Sequence, residues 1–185
     1  MSRRRERTLL ERISNLLRAE ARAAAQARGL QLVHLDILDY LDRSNRFSNT
    51  PAGVTGYLGL TKGTVSQSIL RLEERGLLAR EADPEDGRVR HLLLTGEGRR
   101  VLRSLREGPL EAALREVESR HGDLEERLEF LLRSLQKANG GRSFGVCRTC
   151  RYFEAGRGSS FRCGLLDVPL TRTDSEKICR EHEAA

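Results

Sequence analysis

Cys147, Cys150, Cys163 and Cys179 fall within the last 39 residues of a 185-residue chain, spaced as CRTC, twelve residues, Cys163, fifteen residues and Cys179, with His182 three positions further on. Thiolates gathered in this way are ligands for soft metals. Four of them, or three with an imidazole, satisfy the tetrahedral preference of zinc. In the second case Cys179 and His182 form a CxxH pair opposite CRTC and leave Cys163 spare. A [4Fe-4S] cluster wants four cysteines and tolerates one CxxC with two distant singles, so Cys147, Cys150, Cys163 and Cys179 all serve. A metal-free thiol switch is the third possibility. Cysteine usage in a chain read as cytoplasmic points to metal before disulfides. The segment 142–185 is also too short to hold a good core by itself.

A second group of residues suits duplex nucleic acid. In KGTVSQSILRLEERG, successive helical positions advance by about 100 degrees. Lys62, Gly63, Thr64, Ser66, Gln67 and Arg71 then lie away from the apolar stripe Val65, Ile69 and Leu72. Gln67 has the two-pronged amide that pairs with adenine, and Arg71 the fork that pairs with guanine or phosphate. Lys62, Thr64 and Ser66 suit phosphate or base-edge contacts at a helix start, and the missing Cβ of Gly63 permits close approach. Taken singly, each of these is an ordinary exposed polar residue; their common face gives them meaning.

Net charge is +6, and all of the 33 basic residues except Lys62, Lys137 and Lys177 are arginine. Arginine favours phosphate and base edges, but Arg and Glu interleave along most of the helical stretches, so much of the charge reads as a salt-bridged surface. There is no run of roughly 18 apolar residues to span a membrane. MSRRRER leads into an amphipathic segment rather than the apolar core of a signal peptide, so the expected location is the cytoplasm. No paired carboxylates in a cleft-like setting, nucleophile elbow or glycine-rich phosphate loop is present, and the chain reads as a non-enzyme.

The elements that must carry these groups are mainly helical. Residues 6–28 place Leu9, Leu10, Ile13, Leu16 and Leu17 at helical spacing before Gly29, and 31–44 repeat the pattern with Leu32, Leu35, Leu38 and Leu41. Thr50-Pro51 caps a short helix that reaches Gly59, and Thr61 caps the next across a three-residue turn, which is helix-turn-helix grammar. LLAREAD and VRHLLLT read as strands of a β-hairpin around PEDG. Thr95 caps a helix over about 97–120 that Gly108 and Pro109 bend or divide. A last helix carries Leu124, Leu128, Leu131, Leu132 and Leu135. The fold class is therefore mainly α with a small β-hairpin wing and a small Cys-rich C-terminal module. The units are 1–29, a basic arm and first long helix; 30–96, the winged helix-turn-helix; 97–139, two further helices; and 142–185, the Cys-rich module.

The stretch TPAGVTGYLGLTKGTVSQSILRLEERGLLAREADPEDGRVRHLLLTGEGRRVL resembles the winged helix-turn-helix core of MarR-family transcriptional regulators over about 30–140. TVSQ, LEERGLLAR, DPEDGR and LTGEG carry the resemblance by their order and spacing. It implies a homodimer, with the first and last helices of each chain interleaved and the winged domains on successive major grooves of double-stranded DNA. Apolar stripes at both chain ends independently ask for a partner. The resemblance also implies a wing-tip pair, here Asp86 and Arg88, with Arg88 entering the minor groove. Gly87 stands where the family more often has another arginine, and Arg90 is a second phosphate candidate. Arg3, Arg4, Arg5 and Arg7 read either as an arm that touches DNA or as a solubilising tail.

The leading expectation is thus a DNA-binding regulator that acts by repression, with a small-molecule effector near His34 or a redox or metal signal read by the tail. An interaction adaptor with structural zinc, and more remotely a metal-dependent enzyme, are the competing readings. His34 reads as a hydrogen-bonded helix residue near the family's effector region, and His91 as structural on the second wing strand.

Overall fold

In the computed structural model, residues 2–84, 86–105, 108–138, 140, 143–156, 158 and 160–184 are described. Glu85 of the wing turn, and Asn139, Gly141 and Arg142 at the expected start of the tail, lie outside them. Seven helices and a hairpin form the first 138 residues: α1 (Ser2–Gln26), α2 (Leu32–Arg43), α3 (Pro51–Leu58), α4 (Lys62–Glu74), β1 (Leu78–Ala82), β2 (Arg90–Leu94), α5 (Gly96–Arg103), α6 (Pro109–Arg120) and α7 (Leu124–Ala138). The tail adds a 3-10 turn (Cys147–Thr149), β3 (Phe153–Ala155), β4 (Phe161–Cys163), β5 (Val168–Leu170) and α8 (Arg172–Ser175).

Helix starts are where the threonines put them. Thr50, Thr61 and Thr95 each accept a bond from the amide three residues on, at Gly53, Thr64 and Gly98, and such caps stabilise by about 1 kcal/mol each. Gly59 ends α3 with φ of 64°, a left-handed conformation that a side chain resists, and so makes the tight turn between α3 and α4. Gly108 and Pro109 divide the expected 97–120 helix into α5 and α6, because proline lacks the donor that would continue the ladder.

One expectation changes. The N-terminal arginines are not a free arm: α1 is helical from Ser2, aided by the good helix propensity of arginine and by an i,i+4 pair between Arg7 and Glu11 at 3.0 Å. The tail has its own sheet and core cluster, and it is docked onto the first unit. Ile178 enters the main core, and its backbone bridges Ser44.

That core is built from Ala25, Leu35, Ile37, Leu38, Val54, Val65, Ile69, Leu72, Leu92 and Leu102, which draws α1, α2, α3, α4, the hairpin and α5 together. β1 and β2 pair antiparallel from Leu78 opposite Leu94 to Ala82 opposite Arg90, leaving the wing tip at 83–89. The tail sheet is antiparallel in the order β3-β4-β5. In contrast to the core, Leu9, Leu10, Ile13 and Leu16 of α1, and Leu128, Phe130, Leu132 and Leu135 of α7, stay exposed, Phe130 by 75%.

Candidate nucleic-acid interface and thiol cluster

Helix α4 buries Val65, Ser68, Ile69 and Leu72. The opposite face leaves Lys62, Gly63, Thr64, Ser66, Gln67 and Arg71 exposed, as the spacing predicts. The six do not form one tight cluster. Lys62 and Ser66 open onto a groove of about 660 Å³ between α3 and α4, whereas Arg71, a helical half further on, pairs with Glu74 at 3.1 Å. Around Gly63 nothing but Thr61 Oγ1, at 3.9 Å, would meet an added Cβ.

At the wing tip the Arg88 side chain is 91% exposed and forks onto Asp86, Nε to Oδ1 at 3.0 Å and the second guanidinium arm to Oδ2 at 3.2 Å. Arg88 holds the Asp86 carboxyl below its ordinary range. The fork orients a cation that remains open to solvent. Arg90 folds back onto the carbonyls of Gly87 and Val89. The wing root is tied down by His91, whose Nδ1 meets Asn49 Oδ1 at 2.7 Å and whose Nε2 meets Asp83 Oδ2 at 2.8 Å. Leu92 N–H donates to the Asn49 carbonyl at 2.7 Å.

Residues 44–50 between α2 and α3 connect this interface to the tail. Asn45 N–H donates to Ile178 O at 2.9 Å and Ile178 N–H to Arg43 O at 2.8 Å, the Arg180 amide donates to Ser48 Oγ at 2.8 Å, and Arg46 donates to Pro169 O at 2.8 Å. Phe144 stacks edge-on against Tyr57 at 5.4 Å. None of these docking residues was singled out in the sequence. RSNRFSNT is polar and aperiodic, and only Phe47, an aromatic isolated in a polar run, hints that the segment has something to cover.

Cys147, Cys163 and Cys179 are buried together with Leu170, walled by Phe47, Phe153, Phe161 and Val168, and Cys150 is half-buried at the edge. All four thiols are free. The Cys147 thiol is pushed up to about 12, first by burial and then by the nearby Cys179, Cys163 and Cys150. Burial also pushes Cys179 up, against the counter-pull of the Glu181 amide and the Asn45 and Ser48 side chains.

Among the described residues, no group of three or more His, Cys, Asp and Glu side chains is placed, as it stands, to hold a metal ion. His182, the alternative to Cys163, is occupied. Its Nδ1 meets Ser143 Oγ at 2.6 Å and its Nε2 meets Thr149 Oγ1 at 2.9 Å. His34 is likewise internal: it is buried, and its Nδ1 accepts the Gln31 amide at 3.1 Å. The apolar cleft nearest the expected effector region lies elsewhere, between α1, α2, α5 and α6, where Leu17, Ala24, Leu35 and Leu110 stand beside Glu20 and Asp36 in about 320 Å³.

Among the described residues no helix is long and apolar enough to cross a membrane. Residues 28–89 match the model of the MarR family. The transcriptional regulator HosA of Escherichia coli O111:H- is 48% identical over 42 residues, which cover 23% of this chain and 31% of that protein, so the match spans about a third of the relative's length. Among solved structures, the MarR-family regulator Sco3205 of Streptomyces coelicolor in complex with DNA is similar over 75% of this chain and 89% of its own, at 25% identity and a TM-score of 0.56. CouR of Rhodococcus jostii RHA1, bound to p-coumaroyl-CoA, is similar over 70% of this chain and 88% of its own, at 23% identity and a TM-score of 0.52. MarR-family proteins are transcription regulators rather than enzymes. Over residues 28–89 the chain is similar to the MarR family, and its fold is the winged helix-turn-helix of the regulators it resembles.

Proposed function

We propose that this chain is a cytoplasmic, homodimeric transcription regulator that binds specific double-stranded DNA sites and represses by occupying them. The observation that carries the reading is the division of α4: Val65, Ile69 and Leu72 are buried, while Lys62, Gly63, Thr64, Ser66 and Gln67 present one open polar face at the helix start. Such a helix, with Arg88 beside it on a solvent-exposed wing tip, suits a major groove and the minor groove next to it. The similar protein Sco3205 was solved in complex with DNA.

The partner is a second copy of the chain. Leucine stripes on α1 and α7 stand exposed on elements from the two ends of the first 138 residues, and symmetric pairing buries them. The Leu17–Leu110 cleft, adjacent to α1 and α6, is where a small apolar effector changes the spacing of the two wings; one similar protein, CouR, was solved with a small molecule.

Binding of a fluorescent duplex pool across a salt series, together with sedimentation of the free protein, tests this. The expected results are a dimer and an affinity that falls linearly with log salt, by several powers of the salt concentration. A monomer with no affinity for duplex DNA at low salt contradicts the proposal and favours an adaptor.

A further inference from the structure

We infer that Cys147, Cys150, Cys163 and Cys179 are the four thiolate ligands of a metal centre, and that this centre holds Arg180 in the DNA-facing groove of the helix-turn-helix. The second half rests on the DNA-binding reading; the first stands without it.

The ligand set follows from what surrounds the sulfurs. CRTC forms a 3-10 turn that brings Cys147 and Cys150 to one edge, β4 delivers Cys163, and Cys179 follows the Ile178 bridge, so three separate strands of chain converge. Cys147, Cys163 and Cys179 share one buried cluster, and Cys150 caps the turn that begins at Cys147. His182 is excluded because hydroxyls take up both ring nitrogens, and that leaves Cys163 as the fourth donor. The walls are phenylalanine, valine and leucine, in which several thiolates together are tolerated only beside a cation.

Asn45 adds an independent sign. It is 1% exposed, its Oδ1 accepts the Phe47 amide at 3.1 Å, and its Nδ2 has no hydrogen-bond partner. A buried donor without an acceptor calls for an explanation. Asn45 lies beside Cys179, and a metal-bound thiolate there would be a far better acceptor for its free Nδ2 than a neutral thiol. Each thiol that binds gives up its proton to water as its sulfur–metal bond forms. The same four donors suit one zinc ion or one [4Fe-4S] cluster.

The consequence for DNA lies one residue on. Arg180 follows Cys179, its amide is fastened to Ser48 Oγ, its Nε pairs with Glu181 at 3.4 Å, and the residue lines the α3–α4 groove with Thr55, Lys62, Ser66 and Arg80. Lys62 and Ser66 are candidate DNA contacts already. Arg180 thus adds a third cation to a groove that also holds Lys62 and Arg80. A tail without its metal has only its small core to order it, and it no longer fixes that side chain.

The test uses the full chain purified without oxygen: metal analysis and an absorbance spectrum, then duplex binding across a salt series for wild type, Arg180→Ala and Arg180→Lys, each before and after stripping with EDTA and reductant. About one zinc per chain without colour, or about four irons with a broad visible band, supports the site and names its occupant. Metal-loaded Arg180→Ala keeps the metal, binds roughly three- to tenfold more weakly and loses about one from the salt slope, and Arg180→Lys recovers the slope. Stripped wild type falls to the Arg180→Ala level, and stripping the variant weakens it no further. Protein with neither zinc nor iron overturns the site. Metal-loaded Arg180→Ala that binds as wild type, or stripping that weakens wild type and variant equally, overturns the placement of Arg180. Full metal content in a wild type that ignores DNA overturns the DNA-binding reading and leaves the four-cysteine site standing.

Discussion

His34 Nδ1 accepts the backbone N–H of Gln31 at 3.1 Å, so the imidazole closes the first turn of α2 as an acceptor and must be neutral to do it. Burial, then the Arg71 and Arg75 guanidinium charges, hold its pKa below the ordinary histidine value. In the unfolded chain His34 takes up its proton near the ordinary value of about 6.5, before the folded chain does. Stability from this contact is therefore complete above that pH and is lost as pH falls toward the lower folded value. Urea titrations at pH 7.5 and 5.5 should show wild type losing about 1 kcal/mol more than His34→Gln, about the net worth of one hydrogen bond. Equal losses in the two proteins contradict the assignment.

Gly53 sits where α3 crosses the 44–50 connector. A Cβ there would lie 2.1 Å from the Ser48 carbonyl oxygen and 2.6 Å from the Tyr40 hydroxyl, which itself donates to that carbonyl at 2.8 Å. Backbone cannot yield as a flexible side chain does. Gly53→Ala should cost about 1–3 kcal/mol and lower the melting temperature by several degrees. An unchanged melting curve means that the connector shifts freely.

Gly63 presents the opposite case. Its surroundings within the protein are open, so Gly63→Ala should leave the melting temperature unchanged or raise it, with up to about 1 kcal/mol of helix propensity gained. The same substitution should weaken duplex binding by an order of magnitude, because the added methyl group meets DNA where the helix start approaches it. Undiminished binding would place Gly63 away from the duplex.

The winged helix was legible because its signals are local. Threonine caps, Gly59 at a helix end, the Val65-Ile69-Leu72 stripe and the turn residues of the hairpin each act within a few positions, and α3, α4, β1 and β2 lie where they point. The exposed faces of α1 and α7 were legible for the same reason. Docking of the tail was not. It depends on pairings more than 120 positions apart, such as Arg180 with Ser48 and Arg46 with Pro169, between segments that carry no periodicity. The three short tail strands were missed as well, since three residues are too few to show alternation. The bonds of His182 to Ser143 and Thr149 were not legible either, since spacing does not convey them.

Gln67 and Arg88 divide the work on DNA between reading and gripping. Preferred sites should be selected from a random duplex pool with wild-type protein, and binding then compared for Gln67→Ala and Arg88→Ala on that site, on its single-base variants and on random sequence. Gln67→Ala should lose about 1–3 kcal/mol on the selected site and stop discriminating at one base position, while Arg88→Ala weakens every duplex by a similar factor. No selected sequence, or identical losses from the two substitutions on selected and random DNA alike, contradicts a sequence-reading α4 beside a wing that grips without reading.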